Sequence, residues 1–405
     1  MCVAIMERIQ EKLIRSAMPE LDTVRGLAVL LVLFFHGFGF QFASAPLPRL
    51  AHLFVVATMP GWVGVNLFFV LSGFLITGIL LDSKNHRHYY RRFYVRRALR
   101  ILPAYYALLL LLAVAPRTGW LDHRQVSWQF VGLSFLYLSN VTTFFAVPMQ
   151  YGALWSLAVE EHSYLVWPLV VRVTSRKSLA ICALFVALIC PALRAIAFIR
   201  GDEYGAGYTW LVADGLAIGS LLGLLSRGWL SDRRRMKSAS ICGMAGAVAL
   251  LVLGAPFGIL LNRTLLGGVL RSTALNIFFA GGLGSLLVIG SSNLKWMVQR
   301  PILQFFGRIS YGLYLFHMLA FDFADHLLGL LVRNAEQIVP NNFPLICLRF
   351  TIAATLATTV AALSRKYFEE RFLVLKERWA SPAENRRTIT TASFDSAVTL
   401  SAAAK

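Results

Sequence analysis

Charge is what this chain has least of. Only 15% of its 405 residues are Asp, Glu, Lys or Arg, where a soluble domain carries about a quarter. Apolar residues make up 57% and the mean hydropathy is +0.64, which excludes an ordinary water-soluble fold. Acidic residues are the scarcer kind, 20 against 39 Lys and Arg, for a net charge of +19. In a soluble protein that excess points to nucleic acid. Here the basic residues sit in short loops between apolar runs, the pattern that orients membrane spans, so no nucleic-acid partner is expected. Cysteine is also sparse. Cys2, Cys182, Cys190, Cys242 and Cys347 are dispersed, so neither a disulfide framework nor a metal site is expected. No internal repeat is visible, which weakens a transporter built from inverted repeats.

What is present is a series of apolar runs, near 22–42, 60–81, 99–115, 129–147, 154–171, 179–199, 209–226, 239–261, 268–290, 309–331 and 345–364. Several reach the roughly 20 residues that cross a hydrocarbon core. The first is retained and not a cleaved leader, despite "ASAP" at 43–46: it is too long for a signal core and contains Arg25 and His36. Basic loops follow at 82–100, 172–177, 227–237, 293–308 and 364–378. If all eleven runs crossed, the basic loops on either side of 129–147 would face opposite compartments. That run is also the most polar, with Ser134, Ser139, Asn140, Thr142 and Thr143. Removing its crossing brings every basic loop to one side.

The expectation is an all-α polytopic membrane protein: about ten transmembrane helices plus one re-entrant or half-inserted segment, both termini cytoplasmic. Its parts are an N-terminal segment 1–20, a membrane domain 21–372 and a disordered tail 373–405 rich in Ser, Thr and Ala.

Ionisable residues inside spans are costly and therefore candidates for function. Arg25 and His36 lie eleven residues apart, about 16 Å along a helix and on one face of it. Glu160, Glu161, Asp214, Arg271, Asn276, Asp322, Asp325, His326 and Arg349 all fall toward the outer ends of their spans. Together they suggest a wet funnel whose floor is near His36.

Five blocks then stand out: "LDTVRGLAVLLVLFFH", "GWVGVNLFFVLSGFLITGIL", "RRFYVRRALRILPAYY", "LWSLAVEEHSYLVWP" and "GRISYGLYLFH". In this order they resemble the acyltransferase-3 family, integral membrane enzymes that O-acylate glycans and some small molecules. The resemblance implies an acyl-CoA donor, usually acetyl-CoA, supplied from the cytoplasm as co-substrate, with no tightly bound cofactor. It also implies a glycan or glycoconjugate acceptor, often on the far side of a bacterial-type inner membrane. Since no esterase-like domain follows the membrane part, direct transfer or a separate glycan-handling partner is expected to finish the reaction.

Chemistry assigns roles block by block. His36 suits the general base that takes the acceptor hydroxyl's proton, since its unperturbed pKa lies near neutrality. Glu160 matches the family's glutamate and could orient His36; Glu161, about 100° around the helix, is not expected at the same site. Arg97 and Arg100, three apart on one face, suit the phosphates of coenzyme A, with Arg25 assisting. An orientation signal with lipid-headgroup contact is the plainer reading of that loop.

Asn66, where many relatives carry Asp, and Ser72, Tyr311 and His317 are candidate substrate contacts. Ser72 lacks a Gly-x-Ser-x-Gly elbow, so Gly64, Ser72 and Gly73 are expected mainly to let helices approach. His317 and Asp322 repeat a spacing used by glycerolipid acyltransferases, but residues five apart on a helix diverge by about 140°. Two rivals remain open, a transporter of a polar metabolite and an acyltransferase for a cytoplasmic small molecule such as a macrolide.

Overall fold

The computed structural model describes residues 13–15, 17–115, 126–201, 207–261, 263–332 and 338–372; the expected tail and most of segment 1–20 lie outside them. Among the described residues all regular structure is helical. Eight helices are long and apolar enough to cross a membrane. They contain α1 (Pro19–Phe34), which runs on to Phe42, the joined pair α2 (Arg49–Thr58) and α3 (Val63–Asp82), and α4 (Tyr89–Val114). The others are α7 (Arg176–Ile199), α9 (Arg233–Gly254), α10 (Leu265–Gly290), α11 (Pro301–Leu331) and α12 (Phe343–Leu363). Two more expected spans are helical as well. The 20-residue α6 (Leu154–Val173) is diluted by Glu160, Glu161 and His162, and α8 (Asp214–Leu225) is 12 residues long after a short lead-in, Thr209–Val212.

The run 129–147 is broken. The eight-residue α5 (Trp128–Phe135) gives way to a tight helical turn at Ser139–Phe145, and the chain takes left-handed φ at Tyr137 (58°) and Ala146 (54°). At about 1.5 Å per residue neither piece crosses a bilayer. Several of its polar groups are met by protein, though Ser134 Oγ, Tyr137 OH and Asn140 Oδ1 are buried without a hydrogen-bond partner among the described residues. Ser134 O accepts from Tyr105 OH at 2.7 Å, Ser139 donates to Leu154 O at 2.9 Å, and Asn140 Nδ2 donates to Thr209 Oγ1 at 2.9 Å. Irregular backbone is tolerated at such a depth only on those terms.

The basic loops gather at one end of the bundle. Arg227 forks onto Asp82 with two 2.8 Å bonds, Arg176 donates to Arg227 O at 2.9 Å, and Lys84 donates to Thr174 O. At the opposite end Thr143 meets Tyr208 at 2.7 Å.

Glycines set the closest helix crossings. A Cβ on Gly26 would stand 1.9 Å from Leu303 O, and one on Gly307 1.9 Å from Asp22 O, so α1 and α11 touch backbone to backbone. Gly73 and Gly219 do the same for α3 and α8, at 2.0 Å from Leu216 O and Val70 O. The expectation that Gly64 and Gly73 permit close approach holds, with Gly64 against Ala28 O. Outward, these helices expose Leu110, Leu165, Ile181, Leu188, Leu253 and Leu330, a surface suited to lipid and unsuited to water.

Candidate active site

One cavity lies between α1, α3, α4, α6 and α11 nearer the basic end, and a second between the extension of α1, α11 and α12 nearer the opposite end. The inner cavity, about 160 Å³, is lined by Arg25, Ser72, Arg97, Arg100, Glu160, Glu161, Tyr311 and Tyr314 among apolar neighbours. It shares Ile76, Ile79, Arg97 and Arg100 with a vestibule of about 350 Å³ at the basic end, where Arg92, Arg96 and His86 also stand. The outer cavity, about 710 Å³, is lined by His36, Phe40, Phe321, Asp322, Asp325, His326 and Arg349 among others.

Spacing puts the arginines where they are. Arg97 and Arg100 are one helical turn apart on α4, so both face the same side. Neither forms an ion pair among the described residues. The Arg97 guanidinium lies over the Tyr164 ring, 3.8 Å from its centroid, and its buried Nε has no hydrogen-bond partner. Both arginines share the cavity with the Glu160 and Glu161 carboxylates but are not closed into an ion pair with either, which leaves their donor forks open to an anionic ligand. Arg25 differs, since it lines the same cavity while bonded to Asp22.

Glu160 is committed to its own surroundings. Its Oε1 accepts from Ser72 Oγ at 2.7 Å and its Oε2 from Tyr164 OH at 2.9 Å. This corrects the expected pairing of Glu160 with His36. The carboxylate fixes the ring on which Arg97 rests, and His36 does not line its cavity. Glu161 is the residue not expected to serve one site with Glu160. Both line the inner cavity, since adjacent helical residues can flank one wide opening.

His36 sits in a widened helical turn, Phe35–Gly39, that extends α1. Wide turns of this kind recur at functional sites. Arg25 and His36 line different cavities. His36 Nδ1 lies 3.0 Å from Val32 O and 3.3 Å from His317 Nε2. His317 is buried, with its Nδ1 2.7 Å from Tyr314 O, and it lines neither cavity, contrary to its expected role as a substrate contact.

Of the remaining expected contacts, Ser72 and Tyr311 line the inner cavity, and Tyr311 OH donates to Ile101 O at 2.8 Å. Asn66 lines neither cavity and donates to Asn276 Oδ1 at 2.9 Å instead.

The expected funnel is only partly assembled. Asp322, Asp325, His326 and Arg349 join His36, with Arg349 clamped by both oxygens of Asp325. Asp214 belongs to a sealed cluster. It is fully buried and accepts from Arg194 Nη2 at 3.0 Å and Thr273 Oγ1 at 2.6 Å. Arg271 rests over Trp62 at 4.4 Å. Arg194 is a further charge inside the expected span 179–199, and its place there is a signal of the cluster that the spacing of Asp214 alone does not give.

Comparison with known proteins adds to this geometry. The acyltransferase domain family matches residues 18–363. Peptidoglycan O-acetyltransferase OatA of Listeria monocytogenes is 28% identical over 338 residues, which are 75% of this chain and 49% of that protein. The putative peptidoglycan O-acetyltransferase YrhL of Bacillus subtilis is 35% identical over 195 residues, 43% of this chain and 27% of its own length. A putative O-acetyltransferase of Staphylococcus aureus is 26% identical over 329 residues, 76% and 51% of the two chains. This chain spans about half the length of such relatives or less. No solved structure matches.

Proposed function

The chain belongs to the acyltransferase-3 family, and on that premise we propose that it is a membrane O-acetyltransferase passing an acyl group from cytoplasmic acyl-CoA to a hydroxyl of an envelope glycan. The names of its relatives make peptidoglycan the first acceptor to test. The observation that carries the proposal is the pair of cavities, one with unpaired arginines and the other with an imidazole in its wall.

In this reading the protein makes ten crossings, the eight long helices plus α6 and α8, with both termini and the basic vestibule in the cytoplasm of a bacterial-type inner membrane. The phosphates of the donor settle among Arg97, Arg100 and the vestibule's other basic groups. Their planar donor forks match phosphate oxygens, and Glu160 holds Tyr164 beneath Arg97. The pantetheine arm rises through the inner cavity past Ser72 and Arg25 toward Tyr314.

The acceptor enters the outer cavity, where Asp322 and Asp325 offer acceptors for sugar hydroxyls and Phe40 and Phe321 offer apolar faces. His36 takes the proton of the attacking hydroxyl as its oxygen bonds to the thioester carbon. The carbon–sulfur bond breaks, and the proton passes to the departing thiolate. A base in this role contributes about 10²–10⁴-fold.

Membranes containing well-inserted His36→Ala are expected to lose at least about 100-fold in transfer from labelled acetyl-CoA to wall glycan. Undiminished transfer would remove His36 from the mechanism. Arg97→Ala with Arg100→Ala is expected to raise the acyl-CoA concentration for half-saturation at least about tenfold, since each charged hydrogen bond contributes about 1.5–3 kcal/mol. Unchanged saturation would leave these residues with an orienting role alone.

A further inference from the structure

A carboxylate is the usual partner for a catalytic imidazole, yet the polar side chain that reaches the His36 ring is His317. The geometry permits a single arrangement of protons for the neutral pair. His317 Nδ1 lies 2.7 Å from Tyr314 O, a carbonyl that can only accept, so this nitrogen carries hydrogen. In a neutral ring His317 Nε2 is then a bare lone pair. His36 Nδ1 faces two acceptors, that lone pair at 3.3 Å and Val32 O at 3.0 Å, so it too carries hydrogen. His36 Nε2 is left unprotonated, and this is the nitrogen a general base needs.

We infer that His317 is the positioning residue of the catalytic imidazole, holding His36 in the tautomer whose Nε2 accepts the substrate proton. The inference rests on the reading of His36 as base. Val32 O alone does not suffice, because it belongs to the widened turn's own helix and follows that turn wherever it moves. His317 instead comes from α11, whose backbone is locked against α1 at Gly26 and Gly307. It is 1% exposed and its ring packs on Tyr314, with centroids 5.7 Å apart. When His36 gains the substrate's proton, Nδ1–H goes on donating to both acceptors, so the imidazolium forms without reorganisation. A neutral partner also suits the setting, since a carboxylate at 1% exposure would carry a heavy desolvation cost of its own.

The test uses the full-length protein in membranes with labelled acetyl-CoA and peptidoglycan as acceptor. His317→Leu fills the volume and removes the acceptor; His317→Gln places an amide oxygen near the position of Nε2. Leucine is expected to lower kcat about tenfold or more, the worth of one well-placed hydrogen bond, with the acetyl-CoA KM within twofold of the parent. Glutamine is expected to recover most of the loss. Parental kcat in His317→Leu, or the same loss in the glutamine variant, overturns the inference while leaving His36 as base. Parental activity in His36→Ala overturns the base reading itself. A purely structural His317 would lower the amount of folded protein and leave kcat per folded molecule unchanged.

Discussion

At the residue scale, charge inside this bundle does two different jobs. Arg97 and Arg100 form no ion pair among the described residues and line a cavity that also holds Glu160 and Glu161, whereas Arg194 is a cation surrounded by acceptors. It donates to Asp214, Thr273, Val269 O and Leu211 O and is 3% exposed. That network is read as structural, and structure and function make opposite predictions for it. Removing one partner strands a buried charge, at a cost of roughly 3–5 kcal/mol. Asp214→Ala is therefore expected to fail in detergent extraction or melt far lower by scanning fluorimetry. Arg194→Met with Asp214→Leu is expected to regain most of that stability and to keep acyl transfer; loss of transfer in a stable double variant would move the pair into the site. In the sequence, Asp214 and Glu160 look alike, each an acid in an apolar run. Only the partners separate them, and partners come from distant helices, so this part of the site was not legible. That Arg97, Arg100 and His36 line cavities was legible, because their spacing or isolation already set them apart from the apolar runs.

At the element scale, the helices were readable because their length is fixed by the bilayer, and in five of them a capping residue also marks the start. Ser127, Ser175, Asp232, Thr264 and Asn342 each accept from a backbone N–H at a helix start. The widened turn at Phe35–Gly39 was not readable. It has no residue signature in "FHGFG", and it depends on Gly39 lying against Met59 and Gly37 against Phe350. Close crossings make a sharp prediction. A methyl on Gly219 would meet Val70 O at 2.0 Å, whereas one on Gly246 meets nothing within 4 Å. Gly219→Ala is expected to lose about 1–3 kcal/mol through overpacking and to displace α3, which carries Ser72. Gly246→Ala is expected to be neutral or mildly stabilising. Thermal melts of the two variants side by side check this, and equal melting points would show that the α3–α8 contact is looser than described.

At the scale of the whole molecule, the parity of the crossings decides which side each loop faces. Each true crossing flips the chain, so a single miscounted segment would send half of the basic loops to the wrong side. The bonds tying Asp82 to Arg227 and Arg176 to Arg227 O place the second, fourth and sixth turns of the proposed ten-span path at one end. That agreement requires 126–150 to return to the end it started from, and its broken geometry allows this. The path is checked by single cysteines in a cysteine-free background, probed with a membrane-impermeant maleimide. His86→Cys and Ser231→Cys are expected to react only after the membrane is opened; Ser44→Cys and Met149→Cys are expected to react in intact spheroplasts. If Met149→Cys sorts with His86→Cys, the segment 126–150 crosses after all. The basic loops at 172–177 and 227–237 would then face the compartment opposite to the loop at 82–100. The positive-inside bias supplies the reason to expect otherwise, because a path of opposite parity would carry the three consecutive arginines at 233–235 to the outer face.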